Sequence, residues 1–287
     1  MDLKNKHSVV VGLGRSGVSM ARFLVSRGAS VTVTDNRPPE ELKDLLPVLK
    51  ALGVLIELGR HEDATFESAD LVVLSPGVPH TIGPVVKAKA KSVPVIGEIE
   101  LAYSFFHTPI LAITGTNGKS TATELLGEML RLSGFHVLTG GNLGTPLIEF
   151  IDHQDGVDFI VAEISSFQLD TIHRFRPHVS VILNITDDHL ERYADFDDYA
   201  RSKARIFENQ GVGDICIMNA ADPAILAISK NLTATKSAFN CAQIIDNRAW
   251  IEGQTLWFHT PDDGNQAVDC SDIPLKGRHN LENAAAA

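Results

Sequence analysis

Cysteine is scarce in this chain. Cys216, Cys241 and Cys270 are spread over 287 residues, too few and too far apart for a disulfide framework or a metal cage, which points to a reducing compartment. Positive charge is also short, with 25 Lys and Arg against 36 Asp and Glu and a formal net charge of −11. A broad nucleic-acid face needs cations to offset phosphate repulsion, so nucleic acid is excluded as a partner. Small anions remain open, because a few Lys, Arg and backbone N–H groups can hold them locally. No apolar run is long enough to span a bilayer, and the N-terminus lacks the basic-then-apolar pattern of an export signal. The expectation is a cytoplasmic protein with no membrane partner, acting as a monomer.

The length allows two domains, each with its own core, and 44% hydrophobic with 21% charged residues is ordinary for a globular chain. Short β-branched runs alternate with amphipathic stretches, the pattern of α/β domains with mostly parallel sheets. Strands are predicted at 8–11, 31–34, 54–58, 71–74 and 93–96, with a helix of about ten residues from Ser16 and another over 82–91. These make a Rossmann-like first domain over residues 1–97. A second domain, 98–287, opens with a strand at 109–113 and a helix from Lys119 to about Leu132, and reads as a P-loop-type nucleotide-binding α/β unit. Further strands are predicted at 159–162, 179–183 and 215–218, and a hairpin at a sheet edge over 249–258, turning at Gly253-Gln254. The last residues, Asn283 to Ala287, read as the first turns of a helix, marginal alone, and so as a fragment boundary.

Three places carry chemistry. Thr114-Gly115-Thr116-Asn117-Gly118-Lys119-Ser120-Thr121 joins a buried strand to a helix. Its glycines let backbone N–H groups turn around a phosphate, Lys119 can neutralise outer phosphates, and the Ser120 hydroxyl can reach Mg²⁺. The strict loop has a glycine five residues before Gly118, where this chain has Ile113, so it is a shortened variant. The alternative is a tight strand-to-helix turn with a solvated lysine. Gly12-Leu13-Gly14-Arg15-Ser16-Gly17, with Asp35 ending the next strand, has the form of a dinucleotide fingerprint. Any nucleotide phosphate can use such a turn, and a helix–strand packing turn also fits it. Asp35-Asn36-Arg37 could serve a uracil or an adenine edge, and Ser75-Pro76-Gly77 would line the same crevice. Third, Glu163 to Leu169 and Asn184 to His189 each leave a strand, and strand C-terminal ends are where open α/β sheets bind ligands. Glu163 and His189 could therefore converge on a metal beside a triphosphate, although each alone suits a loop or cap. Lys203 is assigned no role on spacing.

Together, Gly115 to Thr121, Gly140-Gly141-Asn142, Glu163-Ile164-Ser165-Ser166-Phe167-Gln168-Leu169, Asn184-Ile185-Thr186-Asp187-Asp188-His189 and Gly277-Arg278-His279-Asn280 resemble the Mur ligase family over the whole chain. The resemblance implies an ATP-dependent ligase that joins D-glutamate to UDP-N-acetylmuramoyl-L-alanine through an acyl phosphate. It further implies that Gly14, Arg15, Ser16, Asp35, Asn36, Arg37, Ser75 and Gly77 hold the UDP group. Asn142 and Ser165 would contact the sugar nucleotide. Gly115, Thr116, Asn117, Gly118, Lys119, Ser120 and Thr121 would bind the ATP phosphates, with Asn280 and Asn283 near adenine. Ser120, Glu163, His189 and Lys203, the last as a carbamate, would hold Mg²⁺. Members carry a third domain of about 100–200 residues, which this sequence lacks, so such a fragment is expected to turn over poorly.

The chemistry explains why such parts are needed. A carboxylate does not condense with an ammonium in neutral water, so ATP must phosphorylate it first. Two unit charges of one sign at 4 Å repel by about 4 kcal/mol at an effective dielectric near 20, and one unrelieved pair slows a step roughly a thousandfold. The rival readings are a folate polyglutamylating ligase, which needs no uridine-type domain, and a nicotinamide-dependent oxidoreductase, which leaves the phosphate loop without a purpose. Calorimetric titration with NADH and with UDP-N-acetylmuramoyl-L-alanine separates these classes. We expect the UDP-sugar to bind and NADH to give no heat.

Overall fold

The computed structural model describes residues 1–188, 192–241, 245–273 and 275–287. The chain forms two compact units that do not divide at one point. The first comprises Met1–Phe106 with Thr145–His153 and Asp170–Phe175, and the second holds the remainder.

The first unit is built on five parallel strands, β1 His7–Val11, β2 Ser30–Asp35, β3 Leu55–Leu58, β4 Leu71–Leu74 and β5 Val95–Gly97, in the order β3-β2-β1-β4-β5. The helices are α1 Arg15–Ser26, α2 Leu46–Ala51, α3 Asp63–Glu67, α4 Gly83–Ala90 and α5 Glu98–Tyr103. Val9 and Val11 of β1 and Val72 and Leu74 of β4 bury against Phe66, Val85 and Ala88. The intervening Val10 and Val73 are equally inaccessible, so both sheet faces are covered, as a parallel sheet requires.

The first unit runs past Gly97 because α5 carries two buried carboxylates. Glu100 accepts hydrogen bonds from the backbone N–H groups of His173, Arg174 and Phe175, each at 2.9 Å. Glu98 accepts one from Ile148 at 2.7 Å, at the start of the short 3₁₀ helix Leu147–His153. Ser19 donates to Glu149 at 2.6 Å and Arg27 to Asp152 at 2.6 Å, which tie the same segment to α1. A stapling carboxylate has no local sequence signal, so these two insertions were not foreseen.

The second unit contains nine strands, β6 Ile110–Thr114, β7 Val137–Gly141, β8 Phe159–Glu163, β9 Val179–Ile182, β10 Ile215–Asn219, β11 Thr235–Phe239, β12 Asn247–Glu252, β13 Thr255–Thr260 and β14 Gly264–Asp269. Their order is β14-β13-β12-β11-β10-β9-β6-β8-β7, parallel from β7 to β12 and antiparallel through β13 and β14. Its helices are α6 Lys119–Leu132, α7 Ser166–Leu169, α8 Phe196–Ala204, α9 Pro223–Ile228 and α10 Arg278–Ala286. Leu111 and Ile113 of β6 pack with Val161, Val181, Leu183, Ala122 and, from α10, Ala286. The predicted hairpin exists with its Gly253-Gln254 turn, but β14 pairs outside it, so β13 is not the edge. The largely exposed, polar β14 carries no alternation by which to read it as a strand. Among the described residues, no helix is long and apolar enough to cross a membrane.

Burial pushes the Glu98 carboxyl up to about 7; the N–H groups of Ile148 and Leu147 oppose this and the Glu149 charge adds to it. The folded-state value lies above the unfolded one, so this stabilisation is complete below about pH 4.5 and is lost as pH rises through about 7. The difference corresponds to about 3 kcal/mol. Urea unfolding of the wild type should therefore show a midpoint that falls between pH 5 and 8, and Glu98→Gln should flatten that fall. An equally steep fall in the variant would refute the assignment.

Candidate functional site

Each unit presents a glycine turn between an interior strand of its sheet, β1 or β6, and the helix that follows. In the first unit, Gly17 of α1 lies so close to the preceding turn that an added Cβ would sit 2.0 Å from the Gly12 carbonyl oxygen. Ser75 donates its hydroxyl to that same carbonyl at 2.8 Å, tying the end of β4 to the turn. Asp35, at the end of β2 and 4% exposed, accepts from the Leu13 N–H at 2.7 Å and from Arg37 through Nε at 3.0 Å and Nη2 at 2.7 Å. Burial opposes its ionisation, but the Arg37 side chain and the N–H groups of Arg37 and Leu13 outweigh this and hold its pKa at about 2. The carboxylate is thus a fixed anion that shapes the turn and orients Arg37. Gly14, Arg15, Asn36 and Gly77 are exposed around it. Arg15 reaches Thr145 Oγ1 at 3.5 Å. Among the described residues, no acceptor faces the N–H groups of Gly14, Arg15 and Ser16.

The second unit brings together what the sequence scatters. β8, β6 and β9 are adjacent and parallel, so the loops that leave them emerge side by side. Register sets Ile113 opposite Glu163, and Gly141 of β7 opposite Glu163 on its other side. Asn142 then donates through its N–H to the Glu163 carbonyl at 2.8 Å and through Nδ2 to Glu163 Oε1 at 2.9 Å. Thr116, Asn117, Gly118, Lys119, Ser120, Thr121, Asn142, Leu143 and Glu163 line a cleft of about 290 Å³. Among the described residues, no acceptor faces the N–H groups of Gly118, Lys119, Ser120 and Thr121, which open this helix end to an anion.

Lys119 Nζ lies over the loop, donating to the carbonyls of Gly115 at 3.0 Å and Thr116 at 2.9 Å. Burial pushes its ammonium below the ordinary lysine value, while Glu163 and Asp188 act in the opposite direction. Lys203, 1% exposed, donates to the same Gly115 carbonyl at 2.8 Å and stands 4.6 Å from the centre of the Tyr199 ring. Its place beside the loop was invisible to spacing, because α8 reaches it from 88 residues away. Tyr199, whose phenol burial pushes up, contacts Thr116 Oγ1 at 3.3 Å. Ser165 donates through N–H and hydroxyl to Gln168 Oε1, both at 2.9 Å, and so holds the first turn of α7 rather than an open position. His189 lies outside the described residues.

At the other side of the loop, Asn283 of α10 is 5% exposed and packs on Gly118. Asn280 donates to the Lys276 carbonyl at 2.8 Å and accepts from Asn283 at 3.4 Å. Two further residues went unread. Asp222 caps α9 and also accepts the Ile185 N–H at 2.8 Å, and Leu143 is an exposed apolar side chain at the cleft wall. Nothing near Asp222 in sequence marks that second bond.

A strand–loop–helix phosphate cradle with a lysine over it, on a parallel sheet and after a Rossmann-like unit, defines a nucleotide-binding α/β protein of the P-loop type. The chain belongs to the Mur ligase family, since residues 113–287 match the Mur ligase middle domain and 6–97 the Mur ligase MurD-like N-terminal domain. It is 48% identical over 287 residues to the UDP-N-acetylmuramoylalanine–D-glutamate ligase of Desulfosudis oleivorans, covering 100% of this chain and 62% of that one. With the protein of the same name from Geotalea daltonii it shares 46% over 297 residues, 100% of this chain and 63% of the other. The chain therefore spans less than two thirds of the length of these relatives. Among solved structures, UDP-N-acetylmuramate:L-alanyl-gamma-D-glutamyl-meso-diaminopimelate ligase from Neisseria meningitides shares the fold at a TM-score of 0.61 and 21% identity, over 98% of this chain and 91% of that one.

Gly118 caps α6 in the left-handed region, with φ +84°, and a Cβ there would stand 2.5 Å from Asn283 Oδ1. Gly118→Ala should destabilise the second unit by about 1–2 kcal/mol from backbone strain alone. Urea unfolding measures this, and an unchanged midpoint would contradict it.

Proposed function

We propose that this chain is the nucleotide-sugar- and ATP-binding part of a ligase that joins D-glutamate to UDP-N-acetylmuramoyl-L-alanine in cell-wall precursor synthesis. The observation that carries this reading is the cleft at Gly118–Thr121, where open N–H groups, Lys119 and Glu163 share one wall. The names of relatives 48% and 46% identical supply the substrates.

In this reading the ATP phosphates lie along Gly115 to Thr121, with Lys119 leaving the loop carbonyls to meet the outer phosphates. Asn280 and Asn283 of α10 stand on the adenine side. The uridine diphosphate occupies the first unit, its phosphates on the N–H groups of Gly14, Arg15 and Ser16. Asp35, Asn36 and Arg37 read the base there, and Ser75 and Gly77 close the crevice. Asn142 and Ser165 are assigned to the sugar nucleotide, for which Ser165 releases its hydroxyl from Gln168. The substrate carboxylate attacks the terminal phosphoryl group, ADP departs, and the amine of D-glutamate displaces phosphate from the acyl phosphate. Binding the remote uridine holds the carboxylate in line, which turns binding energy into orientation.

The donor set suits Mg²⁺. Ser120 and Glu163 offer hydroxyl and carboxylate oxygen on one cleft wall, and among the described residues no cluster of three or more His, Cys, Asp and Glu forms a protein cage. A phosphate-borne Mg²⁺ needs only one or two such oxygens. When bound it would draw charge from the phosphate oxygens and lower the repulsion met by a carboxylate. His189 is assigned to the same role. Lys203 is assigned to a second Mg²⁺ as a carbamate, whose nitrogen keeps one N–H, enough for the bond to Gly115.

Calorimetry on this chain tests the reading. Mg·ATP and UDP-N-acetylmuramoyl-L-alanine should each bind, and Lys119→Ala should weaken Mg·ATP at least about tenfold while sparing the UDP-sugar, as loss of one charge-assisted contact implies. Absence of UDP-sugar binding, or a Lys119→Ala variant that holds Mg·ATP as the wild type does, would remove the proposal.

A further inference from the structure

Asn184 is part of a motif whose carboxylate and histidine attract attention, yet it has no assigned task. It lies two residues beyond β9, and its side chain does something specific. The carboxamide Oδ1 accepts the Asn117 backbone N–H at 2.8 Å, while Nδ2 donates to the Asn117 carbonyl at 3.0 Å. The side chain thereby acts as a strand partner for one peptide residue, with acceptor on donor and donor on acceptor. Its own carbonyl accepts the Thr116 N–H at 2.9 Å. One residue therefore makes three hydrogen bonds to two consecutive positions of the phosphate loop.

The consequence is directional. Asn117 has both backbone polar groups committed to Asn184, so its peptide cannot rotate to offer its N–H to the cleft. Rotation would also carry the neighbouring peptide, because the Gly118 N–H belongs to the same peptide plane as the Asn117 carbonyl. Holding that carbonyl outward, onto Nδ2, aims the Gly118 N–H the other way. Gly118 is the helix cap with left-handed backbone, and the open N–H groups of Gly118 to Thr121 follow from it. Thr116 reinforces the brace, since its Oγ1 accepts the Thr186 N–H at 3.1 Å.

We infer that Asn184 is a positioning residue for the polyphosphate: its carboxamide sets the Asn117–Gly118 peptide so that the loop N–H groups face the cleft before any nucleotide arrives. Residue chemistry makes the assignment selective. Aspartate keeps the acceptor for the Asn117 N–H but has no donor for the carbonyl, and it adds an anion beside bound phosphates. Alanine keeps neither. Glutamine keeps both groups on a stem one methylene longer. This inference rests on the ATP reading of the second unit.

The test uses the whole chain with Asn184→Ala, Asn184→Asp and Asn184→Gln. Mg·ATP, Mg·ADP, adenosine and UDP-N-acetylmuramoyl-L-alanine are titrated by calorimetry, and amide exchange at Asn117 is followed by NMR. Loss of two neutral hydrogen bonds that preorganise the loop corresponds to about tenfold weaker binding. Asn184→Ala should weaken Mg·ATP and Mg·ADP by about that factor and leave adenosine and the UDP-sugar unchanged. The Asn117 N–H should lose its protection in Asn184→Ala and keep it in Asn184→Asp, which nevertheless binds Mg·ATP no better than the alanine variant. Asn184→Gln should recover part of the affinity. A general packing role would instead lower affinity for all four ligands together and expose many amides at once, and that outcome would overturn the inference. So would a wild-type affinity for Mg·ATP in the alanine variant. A wild-type chain that binds the UDP-sugar but not Mg·ATP overturns the ATP reading itself, which separates the two failures. If the alanine variant does not fold, the aspartate and glutamine pair still decides the matter, because equal Mg·ATP affinities in those two would sink it.

Discussion

The second unit is organised around one carbonyl oxygen. Gly115, the first residue after β6, accepts hydrogen bonds from the ammonium groups of both Lys119 and Lys203, at 3.0 and 2.8 Å. At Lys119 burial works against the ammonium, because a charge taken out of water loses its hydration. Glu163 and Asp188 offset part of this at Lys119. The loop carbonyls are thus taken by lysine Nζ groups, while among the described residues the N–H groups at the start of α6 stay open. An anion at this point would meet oriented N–H groups, so such a cradle requires no large positive surface in a chain of net charge −11.

Carboxylates perform the complementary task in the first unit. Glu100 gathers three successive N–H groups of the 173–175 segment, Glu98 holds the start of the 3₁₀ helix at 147, and Asp35 holds the glycine turn through Leu13. In each case a carboxyl oxygen substitutes for the hydrogen-bond partner that a loop backbone lacks once it is buried. The three differ in their neighbours. Asp35 has Arg37 in two-point contact and is pulled down to about 2, whereas Glu98 has only N–H donors and a neighbouring Glu149, and burial carries it up to about 7.

The legibility of the chain follows the range of the forces involved. Strands 71–74 and 159–163 and the helix 119–132 were readable because apolar runs and a glycine boundary are local signals. β7 was missed because it carries two glycines and packs against Gly127 on α6, so bulk, the usual signature of a strand, is absent where the backbones approach. β11 and β14 were missed because their outward faces are polar and their pairing partners, not their own residues, make them strands. At the site, the phosphate loop and Glu163 could be read from the order strand, turn, helix. The tasks of Lys203, Asn184 and Asp222 could not be read from spacing, since each includes contacts to a residue 88, 67 or 37 positions away.

Sequence alone determined the chemistry on offer: two glycine turns at strand ends, a lysine and a hydroxyl at a helix start, and acids and amides leaving neighbouring strands. Those are properties of short stretches, decided by backbone freedom and hydrogen-bonding capacity. Tertiary structure alone decided which of them meet. The order β9-β6-β8-β7 sets four loops side by side, and parallel register places Glu163 between Ile113 and Gly141. Register and strand order are settled by burying both faces of a sheet at once, a condition on the whole unit that no single segment contains.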